Sequence, residues 1–125
     1  MEIIISSSSN KPIYQQITTQ IKAMIMNGEL KSGDAMPSMR KLAKGLHVSV
    51  ITTQRAYDEL QKEGFIETIQ AKGTFVSAKN QDFIREENRR IVEKHLEEAV
   101  VIARGNGISL EELKRIIDTL YEEEI

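Results

Sequence analysis

The chain has 125 residues, of which 29% are charged and 40% hydrophobic, and it contains neither Cys nor Trp. This length fits one domain, or one small domain with an appendage, and it can bury only a modest core. Without Cys the chain has no disulfide scaffold and no thiolate metal site or nucleophile, which points to a reducing compartment. No apolar run is long enough to cross a membrane, and the N-terminus lacks the basic start of a signal peptide, so we expect a cytoplasmic protein.

The formal net charge of −2 conceals two segments of opposite sign. Residues 1–79 hold ten Lys or Arg against seven Asp or Glu, a balance of +3. Residues 80–125 hold seven against twelve, a balance of −5. Such an asymmetry suggests two parts with different tasks, one of them facing a polyanion. We therefore divide the chain into a domain at 1–79 and a tail at 80–125.

The first predicted helix follows a polar stretch at residues 6–10 that has no reason to be ordered by itself. Pro12 favours a helix start because its missing N–H is not needed in the first turn, and Asn27-Gly28 suits a helix end. Between them, apolar side chains recur at helical spacing. These positions are Ile13, Ile17, Ile21, Met24 and Ile25.

Two more short helices and a hairpin complete the predicted domain. Ser38 is a good N-cap for a second helix, and Ser49 for a third helix that ends at Gly64. Residues 65–69 and 74–77 then predict two strands joined by a turn. Three short helices with a hairpin are typical of a winged helix-turn-helix. The predicted fold class is therefore mainly α (α+β), a winged helix-turn-helix followed by a two-helix tail.

The tail is predicted to be helical throughout. A long helix from about 82 to 104 is broken by Gly105-Asn106-Gly107, and Ser109 with Glu112 forms a capping box for the last helix. Two amphipathic helices cannot bury their apolar faces alone, so we expect them to pack on the first domain or on a second copy of the chain. The positions assigned to dimerisation are Ile91, Leu96, Val100, Leu113, Ile117 and Leu120.

The residue types that serve catalysis or metal binding do not form a constellation. His47 and His95 lie in different segments, and neither is at metal-ligand spacing from a second His. Gly105-x-Gly107 lacks the preceding strand and the third glycine of a dinucleotide-binding motif. We predict no catalytic residue, no metal and no cofactor, which leaves a small enzyme as a distant alternative.

The third helix has the pattern of a DNA recognition helix, which enters the major groove and presents its N-terminal residues to base edges. We place Ala56 at the centre of the buried face and count 100° per residue. Gln54, Asp58 and Ile51 then point outward, and Val50 and Arg55 lie on the flanks. Ser49, Thr52 and Thr53 lie nearer the inner side. The two apolar side chains suit thymine methyl groups. Gln54 suits an adenine edge, and Arg55 a guanine or a phosphate.

Two further places are candidates for contacts with the DNA backbone. The N-terminal amides of the second helix, after the Ser38 cap, suit a phosphate that Arg40 also reaches. At the hairpin tip, Lys72 supplies charge and Gly73 allows close approach. A wing of this composition is expected to enter the minor groove or to contact the backbone.

Short segments between Pro12 and Val76 match one family pattern without a gap. They are PIYQQI at 12–17, GEL at 28–30, PSMRKLA at 37–43, RAY at 55–57, EG at 63–64 and GTFV at 73–76. They resemble the winged helix-turn-helix of GntR-family bacterial transcription regulators. The short two-helix tail looks like that of the YtrA-like subfamily, whose tail serves dimerisation.

The resemblance implies a homodimer that binds a palindromic operator of double-stranded DNA and represses its own operon, often one encoding an ABC transporter. It implies DNA contacts from the second helix, from the start of the third helix through Arg55, from the wing and from Tyr14. With Lys72 added, the candidate DNA-binding residues are Tyr14, Ser38, Arg40, Ser49, Val50, Ile51, Thr52, Thr53, Gln54, Arg55, Lys72 and Gly73. Where the subfamily commonly has Asn-Pro-Asn-Thr-Val, residues 49–53 read Ser-Val-Ile-Thr-Thr, so the family's operator sequence is not carried over to this chain as an expectation.

A winged helix that binds protein in place of DNA is the alternative function. Salt discriminates the two, because DNA binding weakens steeply as the salt concentration rises whereas an apolar protein interface does not. The tail shows no obvious ligand pocket, so the existence of a small-molecule effector stays open. The operator sequence, the target genes and the sign of regulation also stay open.

Overall fold

The structure, a computed structural model, describes residues 1–123 and divides the chain into two compact units, Met1–Arg85 and Glu86–Ile125. The last two residues of the predicted tail lie outside the described part. The division falls inside a helix, whereas we placed it between 79 and 80 from the sequence. The elements are α1 (Ile13–Met26), α2 (Met39–Leu46), α3 (Val50–Lys62), β1 (Ile66–Ile69), β2 (Gly73–Val76), α4 (Gln81–Gly105) and α5 (Leu110–Glu122). The predicted fold class is confirmed.

Serine caps set the starts of three helices. The Oγ atoms of Ser38, Ser49 and Ser109 accept hydrogen bonds from the backbone N–H three residues later, at 3.1, 3.0 and 3.1 Å. Each bond satisfies a backbone donor that the first helical turn leaves unpaired, which stabilises a helix by about 1 kcal/mol. At the other end of α2, His47 takes a left-handed conformation with φ 57° and turns the chain toward α3.

The core of the first unit lies where α1 packs against α3. Ile17 and Ile21 of α1 are fully buried, as are Ala56 and Leu60 of α3. Burying a side chain of the size of Ile or Leu stabilises a fold by about 1.5–3 kcal/mol. The whole cluster comprises Ile3, Ile17, Ile21, Met24, Ile25, Met36, Leu42, Ala56, Tyr57, Leu60, Ile66 and Val76.

The N-terminal segment is tied to α1 by two glutamine side chains. The Gln20 amide accepts from Ile4 N at 2.9 Å and donates to Ile4 O at 2.7 Å. The Gln16 amide does the same with Ser6 N and Ser6 O, at 2.8 and 3.1 Å. Ile3 is buried in the core as a result. The first residue of the polar stretch at 6–10 is thus bound to α1, an attachment that the sequence did not predict.

The hairpin is a two-stranded antiparallel sheet in which Ile66 of β1 pairs with Val76 of β2, both of them buried. The other edge of β2 is covered by residues 33–36. There Gly33 N donates to Val76 O at 2.9 Å, and Met36 N donates to Thr74 O at 2.8 Å. The wing is therefore anchored on both sides of β2, and its tip lies at residues 70–72.

Candidate nucleic-acid interface

The N-terminal half of α3 presents the predicted outward face. Ile51 is 79% exposed and Val50 is 42% exposed, although both are β-branched apolar residues. Gln54 and Arg55, one turn further along, are also exposed. An exposed apolar pair next to an amide and a guanidinium is a surface suited to base edges in the major groove, where thymine offers a methyl group.

Thr53 is a wrong prediction of a DNA contact. Its side chain is 0% exposed, and its hydroxyl donates to Ser49 O at 3.2 Å. The buried face of α3 comprises Thr53, Ala56, Tyr57 and Leu60. At 100° per residue its centre lies about 50° from Ala56, on the side of Thr53. Even with Ala56 at the centre, Thr53 lies only about 60° away on the inner side, and it was included because the resemblance implies contacts along the whole start of the third helix.

Ser49 and Thr52 form the cap at the start of α3. The Ser49 hydroxyl donates to Thr52 Oγ1 at 2.7 Å while it accepts from Thr52 N. Ser49 is exposed and Thr52 is half-buried. The cap fixes the direction in which the first turn of α3 leaves the loop, and so it fixes where Val50 and Ile51 point.

The start of α2 carries exposed positive charge beside its serine cap. Arg40 and Lys41 are both exposed, and Lys41 N donates to Ser38 Oγ. Pro37, the residue before the cap, is bound to α3, since the Tyr57 hydroxyl donates to Pro37 O at 2.7 Å. Burial raises the pKa of Tyr57 to about 12, so the hydroxyl keeps its proton and remains a donor at neutral pH. The position of the α2 N-terminus relative to α3 is thereby fixed.

The tip of the wing is exposed and tightly turned. Lys72 N donates to Ile69 O at 2.9 Å, which closes the turn, and both Lys72 and Gly73 are exposed. Ala71 has φ 65°, a left-handed conformation in which its Cβ is unfavourable. Gly73 has φ 117°, and no atom lies within 4 Å of where a Cβ would be. The space around Gly73 is open to a closely approaching backbone.

Tyr14 and Arg55 contact each other directly. The guanidinium carbon of Arg55 lies 3.8 Å from the centre of the Tyr14 ring. Tyr14 is half-buried and Arg55 is exposed. The structure thus joins two residues that the sequence predicted as separate DNA contacts.

All the predicted DNA-binding positions lie in the first unit, on α1, α2, α3 and the wing. Their exposed charged members are Arg40, Arg55 and Lys72, all positive. Two exposed charges next to them were not among the predicted sites, Lys41 on α2 and Asp58 on the outer side of α3. Lys41 could have been found from its place beside Arg40 in the first turn of α2.

The second unit exposes the apolar positions that the sequence assigned to dimerisation. Ile91, Leu96 and Val100 of α4 are exposed, as are Ile117 and Leu120 of α5, and Leu113 is half-buried. Further apolar side chains of these helices, outside the set assigned to dimerisation, are also exposed. They are Val92, Val101, Ile102, Leu110, Ile116 and Tyr121.

Within residues 1–123, no three His, Asp or Glu side chains gather into a cluster that could hold a metal ion. In the same part of the chain, no helix has the length and apolar character needed to span a bilayer.

Comparisons with known proteins agree with this geometry. The family model for bacterial regulatory proteins, gntR family, matches residues 13–76. The chain is similar to the HTH-type transcriptional repressor YtrA of Bacillus subtilis (strain 168), at 35% identity over 111 residues that cover 89% of this chain and 85% of that protein. YtrA from Sulfolobus acidocaldarius, a GntR-family transcription factor, matches 73% of this chain and 97% of its own at 39% identity, with a TM-score of 0.58. The DNA-binding domain of AraR in complex with operator ORX1 matches 62% of this chain and 96% of its own at 25% identity, with a TM-score of 0.54.

Proposed function

The chain belongs to the GntR family of bacterial regulatory proteins, a family of DNA-binding transcription regulators and not of enzymes, and we propose that it is a repressor that binds a palindromic operator as a homodimer. One observation carries the proposal. The start of α3 exposes Val50, Ile51, Gln54 and Arg55 on a helix whose opposite face is fully packed. In a surface helix that faces only water, two exposed β-branched residues in the first turn gain nothing from burial. In a helix that lies in the major groove, the same side chains contact thymine methyl groups.

The proposed contacts divide into two kinds. Arg40, Ser38 and the amides of the first turn of α2 bind phosphate, and Lys72 with Gly73 binds the backbone or the minor groove. These contacts set the register of the protein on the duplex. Val50, Ile51 and Gln54 then contact base edges, with thymine methyl groups facing the two apolar side chains.

The second unit supports the proposed homodimer. Its helices expose many apolar side chains, and a second copy of the same two helices supplies a matching apolar surface by symmetry. Twofold symmetry places two α3 helices about one helical turn of DNA apart, so each half of a palindrome meets one α3. The acidic balance of residues 80–125 keeps this part away from the phosphates.

The finer parts of the proposal rest on the resemblance to the YtrA-like subfamily. They are a target operon that encodes an ABC transporter, and action in the cytoplasm, where chromosomal DNA is reached. No cofactor is part of the proposed mechanism, and no effector is assigned.

Selection of bound fragments from a random pool of double-stranded DNA tests the proposed function. The full chain should enrich one palindrome, and its affinity for that palindrome should fall steeply as salt rises. A variant carrying Arg40→Ala and Arg55→Ala is the matched control and should enrich no palindrome, since both exposed side chains belong to the proposed contacts. Failure of the wild-type chain to enrich any sequence would refute the proposal and favour a protein-binding winged helix.

A further inference from the structure

The contact between Tyr14 and Arg55 follows from how α1 crosses α3. Ile17 lies one helical turn after Tyr14, and Ala56 directly follows Arg55. Both Ile17 and Ala56 are fully buried in the shared core. Because these core residues fix the two helices against each other, Tyr14 is held beside the exposed start of α3.

The stack is the contact that holds the Arg55 side chain. At 3.8 Å the guanidinium carbon lies at van der Waals distance over the ring of Tyr14, a cation–π arrangement. Among the ion pairs of the described residues, none involves Arg55, and Asp58 one turn away does not pair with it. A stacked guanidinium uses its flat face for the ring and keeps its N–H donors at the edge free.

We propose that Tyr14 is a positioning residue, which holds the guanidinium of Arg55 in place to hydrogen-bond a guanine edge or a phosphate at the start of the major-groove contact. The inference rests on the proposed function, since it presumes that α3 binds DNA. A free arginine side chain samples many rotamers, and binding DNA would have to restrict them. The Tyr14 ring restricts them in the protein before DNA arrives, so less conformational entropy is lost on binding.

A direct contact from the Tyr14 hydroxyl to a phosphate is the competing explanation. Within residues 1–123 that hydroxyl makes no hydrogen bond, so its geometry permits such a contact. The two explanations use different parts of the side chain. Stacking needs only the aromatic ring, whereas a phosphate contact needs the hydroxyl.

A double-mutant cycle separates the two explanations. The proteins are the wild-type chain, Tyr14→Phe, Tyr14→Leu, Arg55→Ala and the double variant Tyr14→Leu with Arg55→Ala. Fluorescence anisotropy gives the dissociation constant of each for the palindrome recovered by selection, at two salt concentrations. Thermal unfolding followed by circular dichroism checks that each variant retains the fold.

Positioning through the ring predicts that Tyr14→Phe binds within about twofold of wild type, whereas Tyr14→Leu binds about three- to fivefold more weakly. In the Arg55→Ala background, Tyr14→Leu should cause no further loss, because there is no guanidinium left to hold. A residue with a merely structural role would cause the same loss in both backgrounds.

The inference is overturned if the losses from Tyr14→Leu and Arg55→Ala multiply in the double variant. It is also overturned if Tyr14→Phe loses as much as Tyr14→Leu, which would assign the hydroxyl to a phosphate. In both cases the wild-type chain still binds its operator, so the proposed function survives. A wild-type chain that binds no DNA would refute the inference together with the proposed function.

Discussion

The first unit of this chain buries or half-buries most of its apolar side chains, whereas the second unit exposes most of them. In the first unit, three helices and a hairpin close around twelve buried residues. In the second unit, Ala103 is the one buried residue within the described part of α4 and α5, although both helices are rich in Ile, Val and Leu. The first unit can therefore fold around itself and keep its outer face for a partner of another kind. The second unit can cover its apolar surface only by contact with something else, and we propose a second copy.

The largest expected effect comes from placing a charge on the apolar surface of the second unit. Ile117→Lys should raise the dissociation constant of the proposed dimer by at least about a hundredfold. Burying one Ile in the dimer contributes about 1.5–3 kcal/mol to association, and a twofold dimer buries Ile117 of both copies. Sedimentation equilibrium measures the change. Ile51→Lys, the same substitution on the first unit at a residue that is 79% exposed, is the control and should leave the dimer intact. A dimeric Ile117→Lys protein would contradict the proposed surface.

The next effect concerns the positive charge at the start of α2. Arg40→Ala should weaken operator binding by about ten- to a hundredfold, since a hydrogen bond to a charged group contributes about 1.5–3 kcal/mol. Anisotropy titration gives the affinity. Arg104→Ala, which removes an exposed arginine from the last turn of α4, is the control. The two arginines are expected to differ because only the first unit contacts DNA. Equal losses at both would mean that bulk charge and not position governs binding.

A smaller effect tests the apolar start of α3. Replacing a contacted thymine by deoxyuridine removes one methyl group, and wild-type binding should weaken by about fourfold, equivalent to about 0.8 kcal/mol. Ile51→Ala should be insensitive to that replacement. Ile4→Ala, the same truncation at a side chain of the first unit that is 72% exposed and outside the proposed contacts, should remain as sensitive as wild type. Ile51 would have no role in base recognition if its truncation left the uracil effect unchanged.

The smallest effect lies in the wing. Ala71→Gly should raise the free energy of unfolding by about 0.5–1 kcal/mol, because it relieves a left-handed Ala at φ 65° and loses part of that gain to a more flexible unfolded chain. Urea unfolding measures the difference. Ala78→Gly is the control, since Ala78 does not have a positive φ, and it should destabilise the fold. Destabilisation by both substitutions would show that Ala71 is not strained.

The local features of the fold could be predicted from the sequence because their causes are local. Ser38, Ser49 and Ser109 cap helices through a bond to a backbone N–H three residues later, and that spacing is visible in the sequence. The outward direction of Ile51 and Gln54 follows from the period of an α-helix. Thr53 was included because the family resemblance implies DNA contacts along the whole start of α3, whereas helical spacing already places it near the buried face, which is where the structure has it.

Contacts between distant residues could not be predicted. Tyr14 and Arg55 are far apart in the sequence and meet only because Ile17 and Ala56 share a core. Gln16 and Gln20 were unremarkable polar positions on α1, yet their amides hold the N-terminal segment. In each case the partner is selected by how helices and segments pack, which a periodic pattern along one element does not encode.

The central claim is that the first unit contacts DNA while the second unit joins two copies, and one ratio tests it directly. The ratio compares the dissociation constant for a single half-site with that for the full palindrome, measured for the wild-type chain and for Ile117→Lys. Joining two binding units converts the second contact into an intramolecular one. We predict a ratio of at least about 100 for the wild-type chain and close to 1 for Ile117→Lys, with half-site affinity the same for both. The same ratio for Ile117→Lys as for the wild-type chain would contradict this division of tasks. A weaker half-site affinity in Ile117→Lys than in the wild-type chain would contradict it as well.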